Sequence, residues 1–493
     1  MHGNCHASGL VVVRTLLENR NEMKKCCKNI DITDRDFISR AVRKCLYGGK
    51  NGKSKLNRAD TLRMFHEYSG VPMELLKKIA KDHQFQMFEG IIDTIVDGIR
   101  QEILNEEFVW KPIWYTHRWE NGKLRRIGIQ DIKQQLYDYI AVEGLAEVLR
   151  KKIGYYQCAA IPNKGQVMGM RAIKRWLRNK GLRYAWKGDA RHYYENIDID
   201  KLKELLERYV DNKLLLKLTY ALIGSFEKGL SIGSYLSQYL ANFYMSFAYH
   251  YSEELFKTRK HRNGTEEKVR LIRKQLFYMD DIMFASNSLK DLKMAVRRFR
   301  KWIFENLGIT IKEEEEYIDL QTGYIDMMGF LISRKKVIVR PRIFRRYRKD
   351  IKKVRKTGEI LSYCARRIMS RNGWLTNAQC RHRSKRNKAD KIIKLSKEMI
   401  SNGKNVIQLT AAGSKSNDSS KQEKRRNSSD KRRTCCSGKP HRGKHTIQNH
   451  DVSVRWKSIP DGVRADRRRN KSKPGKVSGV QSGKRTNTGT ITA

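Results

Sequence analysis

Three carboxylates, in two stretches far apart along the chain, are the residues best suited to chemistry. Leu276-Phe-Tyr-Met-Asp-Asp-Ile-Met-Phe284 sets two acids between strand-prone apolar triplets. That pattern predicts a buried β-hairpin with Asp280 and Asp281 at its tip. Adjacent anions there repel, and their pKa values rise unless a cation stands beside them. Hard carboxylate oxygens suit Mg²⁺, with Mn²⁺ as a substitute. The plain alternative is a solvated Asp-Asp turn, since Asp is a common turn residue. A second acid supports the chemical reading. Leu182-Arg-Tyr-Ala-Trp-Lys-Gly-Asp189 reads as a short strand ending in a carboxylate. If that strand lies beside the hairpin, Asp189 and Asp280 converge. Two metals about 4 Å apart, held by shared carboxylates, form the clamp used for in-line attack on phosphorus.

The charge balance points to the substrate. The 493 residues carry 104 Lys and Arg against 52 Asp and Glu, a net charge of +52. From residue 401 onward there are 23 basic and 6 acidic residues, so most of the excess lies in the first 400 residues. An excess spread over a whole folded body implies a nucleic-acid partner held through its phosphates. The nine cysteines show no disulfide spacing and no Cys-x-x-Cys pair, which suits a reducing, cytoplasmic setting. Cys26-Cys27, Cys380 with His382, and Cys435-Cys436 with His441 and His445 are weak zinc candidates, and free thiols are the expected reading. No apolar run reaches membrane-spanning length, and the start carries no signal-peptide pattern.

The elements that must position the acids follow from periodicity and caps. Residues 1–105 form a basic, helical N-terminal extension, with Asp60 capping one helix, Pro72 opening another, and a third spanning Phe88 to Ile103. Val109–Tyr115 and Lys123–Ile129 read as a hairpin around Asn121-Gly122. Arg125 and Arg126 stand on its opposite faces, so only one can meet a substrate, and a forked donor suits a triphosphate. A solvated strand arginine is the equal alternative at this point. Asp131 caps a helix running to about Lys151, and Cys158–Gln166 is a loop. A helix follows near Asp200–Val210. Gly229 and Gly233 mark a tight loop before a helix from Ser234 to Leu255. Arg259–Lys274 is a charged insertion. Ser288 caps a helix that Gly308 ends. Strands are expected at Ile309–Ile311, Ile325–Ile332 and Lys336–Val339. The order strand, helix, helix, hairpin, helix, strand describes a palm-like α+β domain over 106–340. Residues 341–402 are helical and densely basic, and 403–493 have the composition of a disordered basic tail.

These residues resemble those of bacterial reverse transcriptases from roughly Ile113 to Ile400. Lys123-Leu-Arg-Arg-Ile-Gly-Ile129 resembles the fingers motif whose arginine, here Arg125, holds the incoming triphosphate. Asp189–Asp198 resembles the palm strand with the first catalytic aspartate, with Tyr194 at the ribose-selecting position. Tyr278-Met-Asp-Asp281 is the family's hallmark. Ile325-Asp-Met-Met-Gly-Phe330 resembles the primer grip, and Asn372-Gly373-Trp374 falls in the thumb. The resemblance implies a right-hand polymerase: fingers and palm of antiparallel sheet plus helices, a helical thumb at 341–402, and the tail. Its catalytic and metal residues would be Asp189, Asp280 and Asp281. Its substrate-binding residues would be Arg125, Tyr194, Gly233, Gln238 and Tyr278. Its partners would be an RNA template, the RNA/DNA duplex, dNTPs and an accessory protein of a retroelement.

Gly229-Leu-Ser-Ile-Gly-Ser-Tyr-Leu-Ser-Gln238 looks most like the diversity-generating retroelement enzymes, a resemblance that implies error-prone copying. Group II intron and antiphage-defence reverse transcriptases share the palm and stand as alternatives. One departure is the family's lysine beyond the post-hairpin helix, replaced here within Glu313–Glu316. Two other classes remain to be separated: a non-catalytic RNA-binding scaffold, and a metal nuclease, which needs neither Tyr194 nor Arg125.

Overall fold

A computed structural model describes residues 25–48, 54–120, 123–313, 316–379, 389–402 and 406–409, all within the compact unit Met1–Ser414. In chain order the strands are β1 Trp114–Glu120, β2 Lys123–Ile129, β3 Gln157–Cys158, β4 Tyr184–Asp189, β5 Phe256–Lys260, β6 Glu266–Arg270, β7 Lys274–Tyr278 and β8 Asp281–Ser286. There follow β9 Glu316–Asp319, β10 Ile325–Met327, β11 Phe330–Ile332, β12 Val337–Val339, β13 Glu359–Leu361 and β14 Val406–Gln408.

Strand alternation builds the centre. In β4, β7 and β8, Trp186, Phe277, Ile282 and Phe284 point to one face, and Ala185, Leu276, Met283 and Ala285 to the other. Both sets are buried, so the sheet needs cover on both sides. Its order is β3-β7-β8-β4-β9, antiparallel except for the β3–β7 pair. Helices Tyr235–Glu253 and Leu289–Leu307 bring Leu240, Phe243, Leu292 and Phe299 to the first face. Helix Gln166–Trp176 and the β10-β11-β12 sheet cover the second. Gly188 is glycine for a local reason: a Cβ there would lie 2.2 Å from the Trp186 ring, which folds beneath it.

The N-terminal helices share the first core rather than forming a separate body. Ile38 of helix Arg35–Tyr47, Phe65 of Ala59–Ser69 and Ile95 of Glu89–Leu104 all belong to it. Helices Pro341–Thr357, Ser362–Thr376 and Asp390–Ser401 join the second core through Tyr347, Ile351, Ile368 and Ile392. Asp350, almost fully buried, takes ion pairs from Arg371 and, at 2.9 Å, from Arg367, which fastens the first of these helices to the second.

Several boundaries differ from the sequence reading. Arg58, not Asp60, occupies the N-cap of helix Ala59–Ser69, and Asp60 sits in its first turn. β1 starts at Trp114, and Val109 is exposed with no ladder partner among the described residues. The expected turn Asn121-Gly122 lies outside the described residues. The helix after Asp131 breaks at Leu145 into Ile132–Gly144 and Ala146–Lys152. Arg259–Lys274 overlaps the β5–β6 hairpin, which starts at Phe256 and whose cross-strand lysines, arginines and glutamates mask its strand character. Ile309–Ile311 forms only a bridge, Ile311 to Ala190. Ile325–Ile332 is not one strand but the β10–β11 hairpin, because Met328 and Gly329 both take positive φ, 56° and 85°. Two left-handed residues make a tight primed turn.

Within the stretch expected as tail from residue 403 onward, Val406–Gln408 forms a strand. It pairs with Glu359–Leu361, and Gln408 Nε2 donates to Glu359 Oε1 at 2.8 Å. The apolar Ile407, packed against the second core, is what sets this segment apart from the polar residues around it. Cys26, Cys27, Cys45, Cys158 and Cys364 are buried free thiols. The candidates at Cys380 with His382 and at Cys435-Cys436 with His441 and His445 lie outside the described residues.

Candidate active site

β4 and β8 run antiparallel with Asp189 opposite Asp281. Directly opposed residues of an antiparallel pair share one face, with Cβ atoms about 5 Å apart. Tyr278 pairs with Asp281, so Met279 and Asp280 are the whole turn of the β7–β8 hairpin. Met279 adopts φ 55°, and its sulfur is held by Asn242 Nδ2 at 3.4 Å and by the Tyr194 hydroxyl at 3.8 Å. The Ala190 N–H donates to the Asp280 carbonyl at 2.9 Å, which ties the turn to the end of β4.

The electrostatics follow from that crowding. Burial, then the charges of Asp281 and Asp189, push the Asp280 carboxyl up to about 6, with Arg125 pulling it back. Burial also raises Asp281, against the opposing charge of Lys187. Tyr194 is raised by burial and by Asp280, so its hydroxyl stays protonated. Two lysines approach the acids. Lys312 Nζ lies 2.7 Å from Asp189 Oδ1, and Lys187 Nζ lies 3.6 Å from Asp281 Oδ1. The Lys312 N–H also donates to the Asp189 carbonyl at 2.9 Å, fixing this stretch beside the end of β4.

β2 separates its two arginines as alternation requires. Arg126 pairs with Glu227 and lies 3.8 Å over the Tyr115 ring. Arg125 is on the other side, within electrostatic reach of Asp280. Tyr278 is half-buried beside Cys158, its register neighbour on β3. Gly229 takes φ 56°, and the following N–H, from Leu230, donates to the Tyr194 carbonyl at 2.8 Å. A Cβ on Gly233 would stand 1.7 Å from the Gly128 carbonyl oxygen, so this loop packs backbone to backbone on β2. Ser234 caps helix Tyr235–Glu253, and half-buried Gln238 follows in its first turn. The structure thus gathers Asp189, Asp280, Asp281, Arg125 and Tyr194, with Gly233 on the fingers side.

Lys187 and Lys312 were missed by sequence reasoning. Lys187 was within reach of it, since two residues along a strand from Asp189 means the same face. Lys312 gave no local signal, because a long helix and a turn separate it from the strand it meets.

Among the described residues no three or more His, Cys, Asp and Glu side chains are drawn into one group that would hold an ion. The donor set nevertheless has the chemistry for a hard cation: all oxygen, anionic, partly buried, and with Asp280 raised by its neighbours' charges. The two lysine ammonium groups supply part of the missing positive charge.

A sheet antiparallel in all but its β3–β7 pair, with opposed carboxylates at one end, backed by two helices and faced by an arginine-bearing hairpin, is consistent with the palm and fingers of a nucleotide polymerase. Residues 115–316 match the family described as Reverse transcriptase (RNA-dependent DNA polymerase). The chain therefore carries a reverse transcriptase domain, and with it RNA-directed DNA polymerase activity. Reverse transcriptases use divalent metal ions, a nucleic-acid template and dNTPs. No curated protein matches the chain. Among the described residues no helix is long and apolar enough to cross a membrane.

Proposed function

We propose that this chain is the polymerase of a bacterial or phage retroelement, most like the diversity-generating type, extending a primer 3′-OH with dNTPs on an RNA template. The observation that carries the reading is the in-register opposition of Asp189 and Asp281, with Asp280 in the adjoining turn and Arg125 within reach. A metal nuclease would need the acids but not Arg125 or Tyr194 beside them.

In this reading Asp189, Asp280 and Asp281 would hold the Mg²⁺ ions, and the chemistry such ions would supply when bound is a lowered pKa for the attacking hydroxyl and charge neutralisation for the leaving pyrophosphate. Arg125 steadies the triphosphate. Tyr194, its hydroxyl set against the Met279 sulfur of the turn, stands against a 2′-hydroxyl and favours dNTPs. Gly233 and Gln238 flank the nucleotide on the fingers side. Lys312 sets its side-chain nitrogen 2.7 Å from Asp189, a basic group that Glu313–Glu316 cannot supply. The exposed Arg342, Arg345, Arg346, Arg348 and Lys352 of helix Pro341–Thr357 track the duplex backbone.

Incubation with primed RNA, dNTPs and Mg²⁺ tests the proposal. Primer extension by the full chain, lost in Asp280→Ala while RNA binding persists, is the expected result. Cleavage of the RNA, or extension undiminished in Asp280→Ala, would overturn it.

A further inference from the structure

One buried acid that the proposed chemistry does not use holds the nucleotide side of the site together. Asp138, in helix Ile132–Gly144, is fully buried. Its Oδ2 accepts from Ser234 Oγ at 2.7 Å, from the Tyr235 N–H at 3.0 Å and from the Leu236 N–H at 3.3 Å. Gln130 Nε2 donates to Oδ1 at 3.3 Å. A carboxylate is an acceptor only, which suits a position surrounded by donors. The first turn of helix Tyr235–Glu253 adds the positive end of its dipole.

The segment that Asp138 grips reaches two parts of the site. At one end Leu230 donates to the Tyr194 carbonyl at 2.8 Å. In the middle Gly233 lies against Gly128, where a Cβ would come within 1.7 Å of the carbonyl oxygen, and Arg125 is three residues earlier on the same strand. We infer that Asp138 is a positioning residue. Through the 229–236 loop it sets the spacing between the arginine-bearing strand and the Tyr194 ring, and so the fit of the incoming nucleotide. It touches no substrate itself. The kinetic part of this inference rests on the polymerase reading; the structural part does not.

The two obvious replacements separate position from charge. Alanine removes all the acceptors. Asparagine can turn its carbonyl to the Ser234, Tyr235 and Leu236 donors and its NH₂ to Gln130. The Gln130 Oε1 is buried without a hydrogen-bond partner and becomes that acceptor if the amide flips.

The test combines hydrogen exchange on the full-length chain with single-nucleotide extension. In Asp138→Ala the amides of residues 229–236 should exchange faster. The KM for dNTP should rise about tenfold, the scale of one buried acceptor lost, with kcat nearly unchanged and discrimination against rNTPs reduced. Asp138→Asn should restore both exchange and KM, and Ser234→Ala should fall between. Unchanged exchange over 229–236 in Asp138→Ala would overturn the inference, as would a loss confined to kcat. Should Asp138→Ala fail to fold, Ser234→Ala against wild type decides on the same two readouts. A wild-type chain that extends no primer refutes the polymerase reading, while the exchange comparison still decides the role of Asp138 in the loop.

Discussion

Lys312 and Asp189 form an ion pair at 2.7 Å at the point where a metal ligand is expected. A carboxylate oxygen engaged by an ammonium is less available to a divalent ion, so lysine and metal compete for it. Lys312→Met removes the competing cation and should raise the affinity of the nucleotide-free protein for Mn²⁺ by up to about tenfold, a modest share of the few kcal/mol that a close charge pair near a protein surface is worth. Calorimetric titration measures it. An unchanged or weaker affinity would mean that Lys312 orients Asp189 for the metal instead of opposing it.

The contact of Gly233 with Gly128 makes a sharper steric prediction. Gly233→Ala sets a Cβ 1.7 Å from a carbonyl oxygen, and backbone cannot yield as a side-chain end can. The loop or β2 must move, at a cost of about 1–3 kcal/mol by analogy with overpacking. Thermal denaturation should show the loss, and the KM for dNTP should rise because Arg125 shifts with its strand. Gly188→Ala is the comparison, since its clash is with the buried Trp186 ring. That variant should lose stability with a smaller change in KM.

The parts of this molecule that were legible in the sequence are those set by short-range patterns. The apolar, strand-prone triplets on either side of Met279-Asp-Asp281 predict the hairpin, and the strand expected to end at Asp189 is found to within two residues. Ser288, Asp131 and Gly308 cap the helices they were expected to cap. Met328-Gly329 concealed a turn because methionine rarely adopts positive φ, and here tertiary contacts hold it: Trp374 Nε1 donates to the Met328 carbonyl at 3.4 Å. β9 lies in a charged run, and its pairing with β4 needs the sheet already formed. Lys312 acts on Asp189, 123 residues away, and Asp138 on the Ser234 loop, 96 residues away, so no local signal marks these roles.

Arg334, in the turn between β11 and β12, fastens that small sheet to the segment before β4 and to the end of β9 through backbone alone. Its guanidinium donates to the carbonyls of Leu177, Asn179, Lys180, Leu182 and Leu320 at 2.6–3.2 Å. An ammonium cannot span that fork of acceptors. Arg334→Lys should cost about 2–4 kcal/mol, because several partly buried carbonyls lose a charged donor at once. Chemical denaturation measures it, and a loss under about 0.5 kcal/mol would place those carbonyls in water contact instead.

Asp138 also makes a pH prediction. Burial pushes its carboxyl up to about 6 against the lowering effect of its hydrogen bonds. In the unfolded chain it titrates near 4. Folding therefore favours the protonated form. The stabilising contribution of this group is complete below about pH 4 and is lost as pH rises through about 6. The difference of about two units corresponds to roughly 3 kcal/mol. Asp138→Asn does not titrate at this position, so the comparison isolates the effect from the other carboxylates. Measured from pH 4 to pH 7, the melting temperature of wild type should fall relative to the Asn variant by several degrees, with most of the change complete by about pH 7. A difference that stays flat across that range would mean that Ser234, Tyr235 and Leu236 stabilise the ionised carboxylate as fully as water does.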